Sequence, residues 1–218
     1  MLKADLHVHT DRSPDCLITP VKLIERCLAR GINCLAITDH NSIEGAIAVQ
    51  RIAPFPVIVS EEIKTSQGEI IGLFLQEAIA PLLSAEETVR KIREQGGLVC
   101  LPHPFDRVRR EPLRDNARES ILPNIDIVEV LNARVTFTND NVKARRFAED
   151  LGLPMSAGSD AHSLWEIGRA YVEIPEFETP QQFLEALRRG SIGGHRSLPL
   201  VHLFSTWAKL RRKTRAGR

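Results

Sequence analysis

Short apolar runs alternate with amphipathic helical patterns along almost the whole chain. Apolar runs of this length, separated by helices, are typical of parallel strands that helices bury on both faces. About seven strand–helix units in only 218 residues favour a small or incomplete barrel over an open doubly wound sheet. The predicted strands are Ala4–Val8, Cys34–Thr38, Pro56–Ser60, Leu98–Leu101, Asp126–Leu131, Pro154–Ala157 and Ala170–Ile174.

Three predicted helices begin at a residue that can cap them, and one pair of strands departs from the alternation. The capping residues are Thr19, Ser84 and Thr179. Ser66-Gln67-Gly68 separates two apolar runs within Glu62–Leu75, which predicts a β-hairpin. The highly charged stretch Phe105–Leu122 is predicted to be a surface excursion. We expect one barrel domain, residues 1–196, followed by a C-terminal segment, residues 197–218.

The charge of the chain is nearly balanced, with 29 Lys and Arg against 28 Asp and Glu. No global charge therefore indicates a long nucleic acid or a membrane as partner. The C-terminal segment differs, because Lys209 to Arg218 are strongly basic. Within Leu198–Lys213 apolar residues recur at helical spacing: Leu200, Leu203, Phe204, Trp207 and Leu210. Such a helix can pack across the open side of the barrel, which we favour, or dock on a membrane or partner.

Cysteine usage and the first residues indicate a cytoplasmic protein. The four cysteines, Cys16, Cys27, Cys34 and Cys100, form no C-x-x-C pair, and we expect them to be reduced. A strand-like segment follows Met1 at once, so no signal peptide is expected. The apolar runs are too short to span a bilayer.

Polar residues gather at one repeated place, directly after a predicted strand and before the next helix. Five of the seven histidines lie at such strand ends, with a carboxylate nearby or on the adjoining strand end. In a parallel barrel these ends converge on one mouth, where such folds place their reactive groups. Imidazoles and carboxylates bind divalent transition metals, so the pattern predicts a metal site. Its strand ends are D-L-H-V-H, T-D-H, S-E-E, P-H-P and G-S-D-A-H.

Taken together, these motifs resemble the PHP (polymerase and histidinol phosphatase) family. D-L-H-V-H-T, I-T-D-H-N, E-E-I, P-H-P-F and G-S-D-A-H occur in the family's order between about Asp5 and Gly168. The resemblance implies an α/β fold, a distorted seven-stranded (β/α)7 TIM-like barrel. It also implies a metal-dependent phosphoesterase, a hydrolase acting on phosphoric ester bonds.

The resemblance implies two to three divalent metal ions. Its first metal position would be held by His7, His9, Glu62 and Asp160, its second by Glu62, Glu69 and His103, and its third by Asp15, His40 and His162. Relatives often have a histidine where this chain has Glu69, and Asp11 is a rival of Asp15. Mixed nitrogen and carboxylate ligands suit manganese, iron or zinc better than magnesium or calcium.

A hydroxide shared by the first two ions is expected to attack phosphorus while the third ion holds a phosphate oxygen. Asp39 either orients a histidine or a metal-bound water, or caps the helix that begins near Ser42. Asp5 is expected to support the imidazoles, because period two puts it on their side of the strand. The predicted phosphate-binding residues are Arg134, Arg107 and Lys64.

The substrate is expected to be a small phosphomonoester or nucleotide, such as a nucleoside 3',5'-bisphosphate or the end of a short oligonucleotide. Aromatic residues make up only 5% of the chain, so few bases could be stacked and no long nucleic acid is required. Histidinol phosphate is the alternative substrate. A non-catalytic metal-binding module is the alternative of another class. The sequence leaves the oligomeric state open.

Overall fold

A computed structural model of the chain describes residues 1–108, 112–201 and 205–211. Nine strands occur in this part: β1 Leu2–Val8, β2 Cys34–Ile37, β3 Val57–Thr65, β4 Gly68–Leu73, β5 Leu98–Leu101, β6 Ile127–Asn132, β7 Met155–Gly158, β8 Ala170–Ile174 and β9 Ser191–Gly194. The six helices with defined bounds are α1 Pro20–Ala29, α2 Glu44–Gln50, α3 Ala85–Glu94, α4 Asp115–Ile121, α5 Thr138–Leu151 and α6 Pro180–Arg188. The strands form a single sheet in the order β7-β6-β5-β4-β3-β2-β1-β8-β9.

The sheet is mixed and has nine strands, not the predicted seven. Of the seven predicted strands, six run in one direction and only β8 is reversed. β1, β2 and β3 run parallel, as do β5, β6 and β7, whereas β4 is antiparallel to both of its neighbours. β8 is antiparallel to β1 and to β9. The two additional strands are β4, which is the second arm of the predicted hairpin, and β9. The mixed α/β fold with a barrel-like sheet agrees with the prediction.

The sheet nearly closes where the end of β7 meets β1. The amide of Asp160 donates to the carbonyl of His7 across 2.7 Å, and the amide of His9 donates to Ala161 across 3.2 Å. Gly158 makes this approach possible, because a Cβ there would lie 2.2 Å from Cβ of His7. The mouth of the barrel is thus drawn together at its first and last parallel strands.

Both faces of the sheet are buried, as the continuous apolar runs predicted. On β2, Cys34 and Ala36 pack with Phe183 of α6, whereas Leu35 and Ile37 pack on the other side with residues of α1. Burying one large aliphatic side chain stabilises a fold by about 1.5–3 kcal/mol. Burial of alternate residues on opposite faces therefore explains why short runs without polar alternation form strands.

All three helices begin directly after the predicted capping residue, and the capping hydrogen bond forms in two of them. Ser84 accepts a hydrogen bond from the amide of Glu87 at 3.1 Å, and Thr179 accepts one from Gln182 at 3.2 Å. Thr19 lies at the N-cap position of α1 without a side-chain capping hydrogen bond, and Pro20 follows it. The proline supplies the helical φ angle by itself, so this start does not need the cap.

The charged stretch Phe105–Leu122 is not wholly a surface excursion. It contains α4, and the side chains of Leu113, Ala117 and Ile121 are buried in the same apolar cluster as residues of α3 and α5. These three residues are four apart, so they form one apolar face amid the charged residues. The high charge of the segment concealed this spacing.

The C-terminal segment is described for residues 197–201 and 205–211. Residues 205–211 are helical, as predicted, while Leu203, Phe204 and residues 212–218 lie outside the described residues. Ala208 is buried, but Trp207 and Leu210 are 54% and 59% exposed. Trp207 and Leu210 therefore do not pack against the barrel in the way predicted. In the described part of the chain, no helix has both the length and the apolar character needed to cross a bilayer.

Candidate metal centre

All nine side chains predicted as metal ligands come together at the mouth of the barrel. Eight of them are buried and His40 is half-buried. They come from the ends of β1, β2, β5 and β7, from β3 and β4, and from the loop after β1. Metal binding by these side chains is a prediction that their mutual distances support.

Glu62 on β3 is the centre of this arrangement. Its carboxylate oxygens lie 3.4 Å from Nε2 of His7, 3.5 Å from Nε2 of His9 and 3.0 Å from Nε2 of His103. Nδ1 of His40 is 3.2 Å away. The approach of one carboxylate to four imidazoles supports the bridging role that the resemblance implied for Glu62.

The remaining carboxylates each approach a different pair of ligands. Oδ1 of Asp160 lies 3.8 Å from Nε2 of His7 and 3.4 Å from Nε2 of His9. Oε2 of Glu69 lies 3.8 Å from Nε2 of His103, and its other oxygen lies 3.8 Å from Nδ1 of His40. Glu69 thus reaches the second predicted position and the edge of the third.

Asp15 lies between the two imidazoles of the third predicted position. Its Oδ2 is 3.7 Å from Nε2 of His40, and its Oδ1 is 3.3 Å from Nε2 of His162. This placement supports Asp15 over its rival Asp11. Oδ2 of Asp15 also lies 3.2 Å from Nζ of Lys209, a residue that sequence reasoning had not assigned to the site.

The donor set fits divalent cations. Within the described part of the chain, four groups of three side chains have ligand atoms within 4.8 Å of one another: His7, Glu62 and His103; His7, His9 and Asp160; His40, Glu62 and Glu69; and His9, His40 and His162. Among the described residues, the buried Nε2 atoms of His7 and His9 have no hydrogen-bond partner. A buried polar atom left without a partner is costly, and a bound cation would supply one.

The electrostatics of the mouth indicate an excess of negative charge. Burial alone would lower the pKa of His40, but Glu62 and Asp15 raise it to about 10. Burial opposes the charged form of His7 as well, yet Glu129, Asp160 and Glu62 hold its pKa well above the ordinary value. His9 differs, because burial and the neighbouring His162 lower its pKa to about 3. The carboxylates thus favour the protonated form of His7 and His40. Bound metal cations can supply the same positive charge.

A β-bulge in β1 turns His7 into the mouth. Asp5 is in register with Leu35 and Val8 with Ile37, so three residue steps on β1 oppose two on β2. Strict alternation is lost across the bulge, and the expectation that Asp5 shares the imidazoles' face is wrong. Asp5 instead accepts hydrogen bonds from the amides of Ser159 and Gly168, at 2.8 and 3.0 Å. It fixes the loop that carries Asp160, and burial raises its pKa to about 6.

Two of the predicted ligands have a backbone conformation that is rare for residues with a side chain. His103 has a φ of 26° and Asp160 a φ of 53°. Such conformations cost of order 1–3 kcal/mol each and persist where the surrounding structure enforces them. Their occurrence directly after β5 and β7 aims both side chains at the same space.

Asp39 is linked to His9 through the hydroxyl of Ser13 and does not cap α2. Its carboxylate accepts hydrogen bonds from Thr10 and, at 2.7 Å, from the hydroxyl of Ser13. That hydroxyl in turn lies 3.0 Å from Nδ1 of His9. The N-cap position of α2 is Ile43, without a side-chain hydrogen bond, so the capping alternative is wrong.

Glu129 is a second residue of the site, besides Lys209, that sequence reasoning had not identified. Nδ1 of His7 donates to its Oε1 at 3.0 Å, and the amide of His103 donates to its Oε2 at 2.9 Å. Asn132 donates to the same Oε2 and to Oδ2 of Asp160, each at 3.0 Å. The sequence does mark this residue, because Glu129 is the one carboxylate inside the otherwise apolar run Ile127–Leu131.

The three predicted phosphate-binding residues are placed differently from one another. Nε of Arg134 lies 3.4 Å from a carboxylate oxygen of Glu166, and the side chain is buried. Nε of Arg107 donates to Asp140 at 2.9 Å. Lys64 is exposed, and its position in β3 gives it the same face as Glu62. Both arginines are thus paired with carboxylates, and Arg107 is exposed like Lys64, whereas Arg134 is buried.

Two protein-family models together match most of the chain. The PHP domain model matches residues 5–116, and the PHP-associated model matches residues 138–192. The chain belongs to the PHP domain family. Family membership supports a hydrolase acting on phosphoester bonds.

The chain is also similar to three individual proteins. An uncharacterised protein of Methanocaldococcus jannaschii is 39% identical over 86% of this chain and 79% of its own. A 3',5'-nucleoside bisphosphate phosphatase of Chromobacterium violaceum is 33% identical over 43% of this chain and 35% of its own. Endonuclease Q, solved with a 27-mer duplex carrying an abasic lesion, has a TM-score of 0.65 at 16% identity, covering 86% of this chain and 56% of its own. At that identity the likeness concerns the fold alone.

Proposed function

We propose that this PHP-family chain hydrolyses small phosphomonoesters or nucleotides, such as nucleoside 3',5'-bisphosphates or the ends of short oligonucleotides. The observation that carries the proposal is the convergence of five imidazoles and four carboxylates on one mouth around Glu62. The phosphatase from Chromobacterium violaceum, named for its action on nucleoside bisphosphates, supports this substrate class. The proposed metals are manganese, iron or zinc.

In this proposal the nine side chains divide into three metal positions, and Glu62 is shared by the first two. His7, His9, Glu62 and Asp160 hold the first, Glu62, Glu69 and His103 the second, and Asp15, His40 and His162 the third. Bound divalent cations supply an activated water near neutral pH and neutralise the charge of the phosphate ester. Glu129 keeps Nδ1 of His7 engaged, so that Nε2 points to Glu62. Ser13 does the same for His9.

The size of the substrate is argued from what surrounds the mouth. Arg134 is buried and bonded to Ser205 of the C-terminal helical residues, so this side of the mouth is covered. Because these helical residues cover one side of the mouth, a compact phosphate ester fits there more readily than a long duplex. Endonuclease Q acts within the same fold on a duplex, which makes duplex DNA the competing substrate to test.

The experiment combines metal analysis with a substrate panel. The panel contains phosphomonoesters, histidinol phosphate, nucleoside 3',5'-bisphosphates, short oligonucleotides and an abasic duplex, each with added manganese. We expect two to three metals per chain and turnover of the small esters. His7→Ala and Asp160→Ala should lose metal and turnover together, because each removes a ligand of the first position.

His195→Ala is the matched control, since His195 is exposed and lies outside the cluster. It should keep the metal content and the turnover of the natural sequence. Metal binding without hydrolysis of any panel member would reject the catalytic proposal in favour of a metal-binding module. Faster cleavage of the duplex than of the small esters would reject the proposed substrate class.

A further inference from the structure

The helical residues 205–211 lie against the mouth of the barrel through one side of the helix. Ser205 accepts a hydrogen bond from Nη2 of Arg134 at 3.0 Å, Ala208 is buried, and Lys209 contacts Asp15. These three residues are spaced i, i+3 and i+4, which is one face of a helix. Residues that are remote in the sequence are thereby brought to the third predicted metal position.

Lys209 approaches that position from the solvent side. Its Nζ lies 3.2 Å from Oδ2 of Asp15, whose side chain is 6% exposed, while the lysine side chain is 55% exposed. The opposite sides of Asp15 are taken by His40 and His162. The ammonium group therefore borders the cluster on its solvent-exposed side.

The pair between Lys209 and Asp15 does not by itself hold the helix in place. An ion pair with a partner this exposed contributes little to stability, because water screens it and the long side chain loses freedom. The buried Ala208 and the bond from Arg134 to Ser205 fix the helix instead. The ammonium group is thus held near the cluster and remains able to exchange its carboxylate for another anion.

We propose that Lys209 is a substrate-binding residue that contacts the phosphate group of the ester at the third metal position. The inference rests on the proposed function, since it assumes that this mouth accepts a phosphate ester. An ammonium group is a compact point charge with three donors, suited to a phosphate oxygen. Arg107 is less suited to this role because it is already paired with Asp140.

The test measures binding of inorganic phosphate, which needs no turnover. Calorimetry on metal-loaded protein, freed of excess metal, gives Kd for phosphate in the natural sequence, Lys209→Ala and Lys209→Arg. We expect Lys209→Ala to raise Kd by about tenfold and Lys209→Arg to remain closer to the natural sequence. On any active substrate, KM should rise by a similar factor. Lys91→Ala, at an exposed lysine of α3, is the matched control and should change neither value.

Metal content separates this role from a structural one. Lys209→Ala should keep the metals of the natural sequence, because Lys209 is not a ligand. An unchanged Kd in Lys209→Ala, a loss of metal in that variant, or a loaded natural protein that binds no phosphate would each overturn the inference. A panel without any substrate would end the proposed function, yet the phosphate measurement would still decide the role of Lys209.

Discussion

Nδ1 of His7 donates a hydrogen bond to Oε1 of Glu129 across 3.0 Å, linking β1 to β6 through the inside of the mouth. The second oxygen of Glu129 accepts from the backbone amide of His103 at 2.9 Å. One carboxylate thus orients residues of two predicted metal positions. Groups that orient metal ligands in this way often matter nearly as much to metal affinity as the ligands.

Glu129→Gln is expected to weaken metal binding by about 10- to 100-fold, because the amide cannot accept all the hydrogen bonds that the carboxylate accepts. The measurement is a manganese titration followed by calorimetry. Glu173→Gln on β8 is the matched control, since Glu173 is an exposed strand glutamate outside the mouth. Equal manganese affinity in both variants would contradict the orienting role.

Most of the ligand cluster could be predicted from the sequence because its members follow strand ends. The carboxyl ends of parallel strands meet at one mouth, so local motifs around His7, His40, His103 and Asp160 were enough to group them. The hairpin that carries Glu62 and Glu69 was marked by its turn residues. In these cases a short sequence motif identifies each ligand, and the barrel topology brings the motifs together.

The features that the sequence did not reveal depend on contacts between residues distant in the chain or on irregular backbone such as a β-bulge. Glu129 meets His7 across 122 positions, and nothing near it in the chain marks that partner. The bulge in β1 has no motif, so period two misplaced Asp5. β9, with the sequence S-I-G-G, has no apolar run and forms because β8 offers it an edge. The role of Lys209 depends on where a distant helix docks.

Metal binding should become tighter as the pH rises. Metal ligation requires neutral imidazole, whereas Glu62 and Asp15 raise the pKa of His40 to about 10. Binding near neutral pH therefore releases a proton from His40, and the apparent Kd falls by about tenfold per pH unit for each proton released. Calorimetry in buffers of different ionisation enthalpy counts these protons.

His40→Asn should release about one proton fewer than the natural sequence. His195→Ala serves as the control, because that imidazole is exposed and outside the cluster. Metal affinity that does not vary between about pH 6 and 8 would show that His40 gives up no proton on binding.

Glu61 should make the metal-free protein less stable as the pH rises. Its side chain faces away from the mouth, and burial raises its pKa from 4.5 to about 7. Between those values the folded protein keeps a proton that the unfolded chain loses, so the free energy of unfolding falls with pH. The full loss above the folded pKa is about 3 kcal/mol.

Glu61→Gln should remove this loss, since the amide oxygen can still accept from the amide of Ile79. Urea unfolding of chelated protein at several pH values measures the difference between the two sequences. Parallel stability curves for the variant and the natural sequence would be incompatible with a buried, titrating Glu61. Glu173→Gln, at an exposed position, is expected to follow the natural curve.

Gly158→Ala should disrupt the closure of the barrel at the metal centre. The added Cβ would lie 2.2 Å from Cβ of His7 and 2.7 Å from its backbone amide nitrogen, so β7 and β1 must move apart. We expect a loss of about 3 kcal/mol in the free energy of unfolding, the upper range for overpacking.

Gly96→Ala is the matched control, because that glycine has a φ of 73° and open space around it. It should lose only about 1 kcal/mol, the cost of a side chain in the left-handed region. Denaturation by urea measures both values, and metal content should fall in Gly158→Ala alone. Equal losses in the two variants would mean that the strands separate easily and that Gly158 is not required for closure.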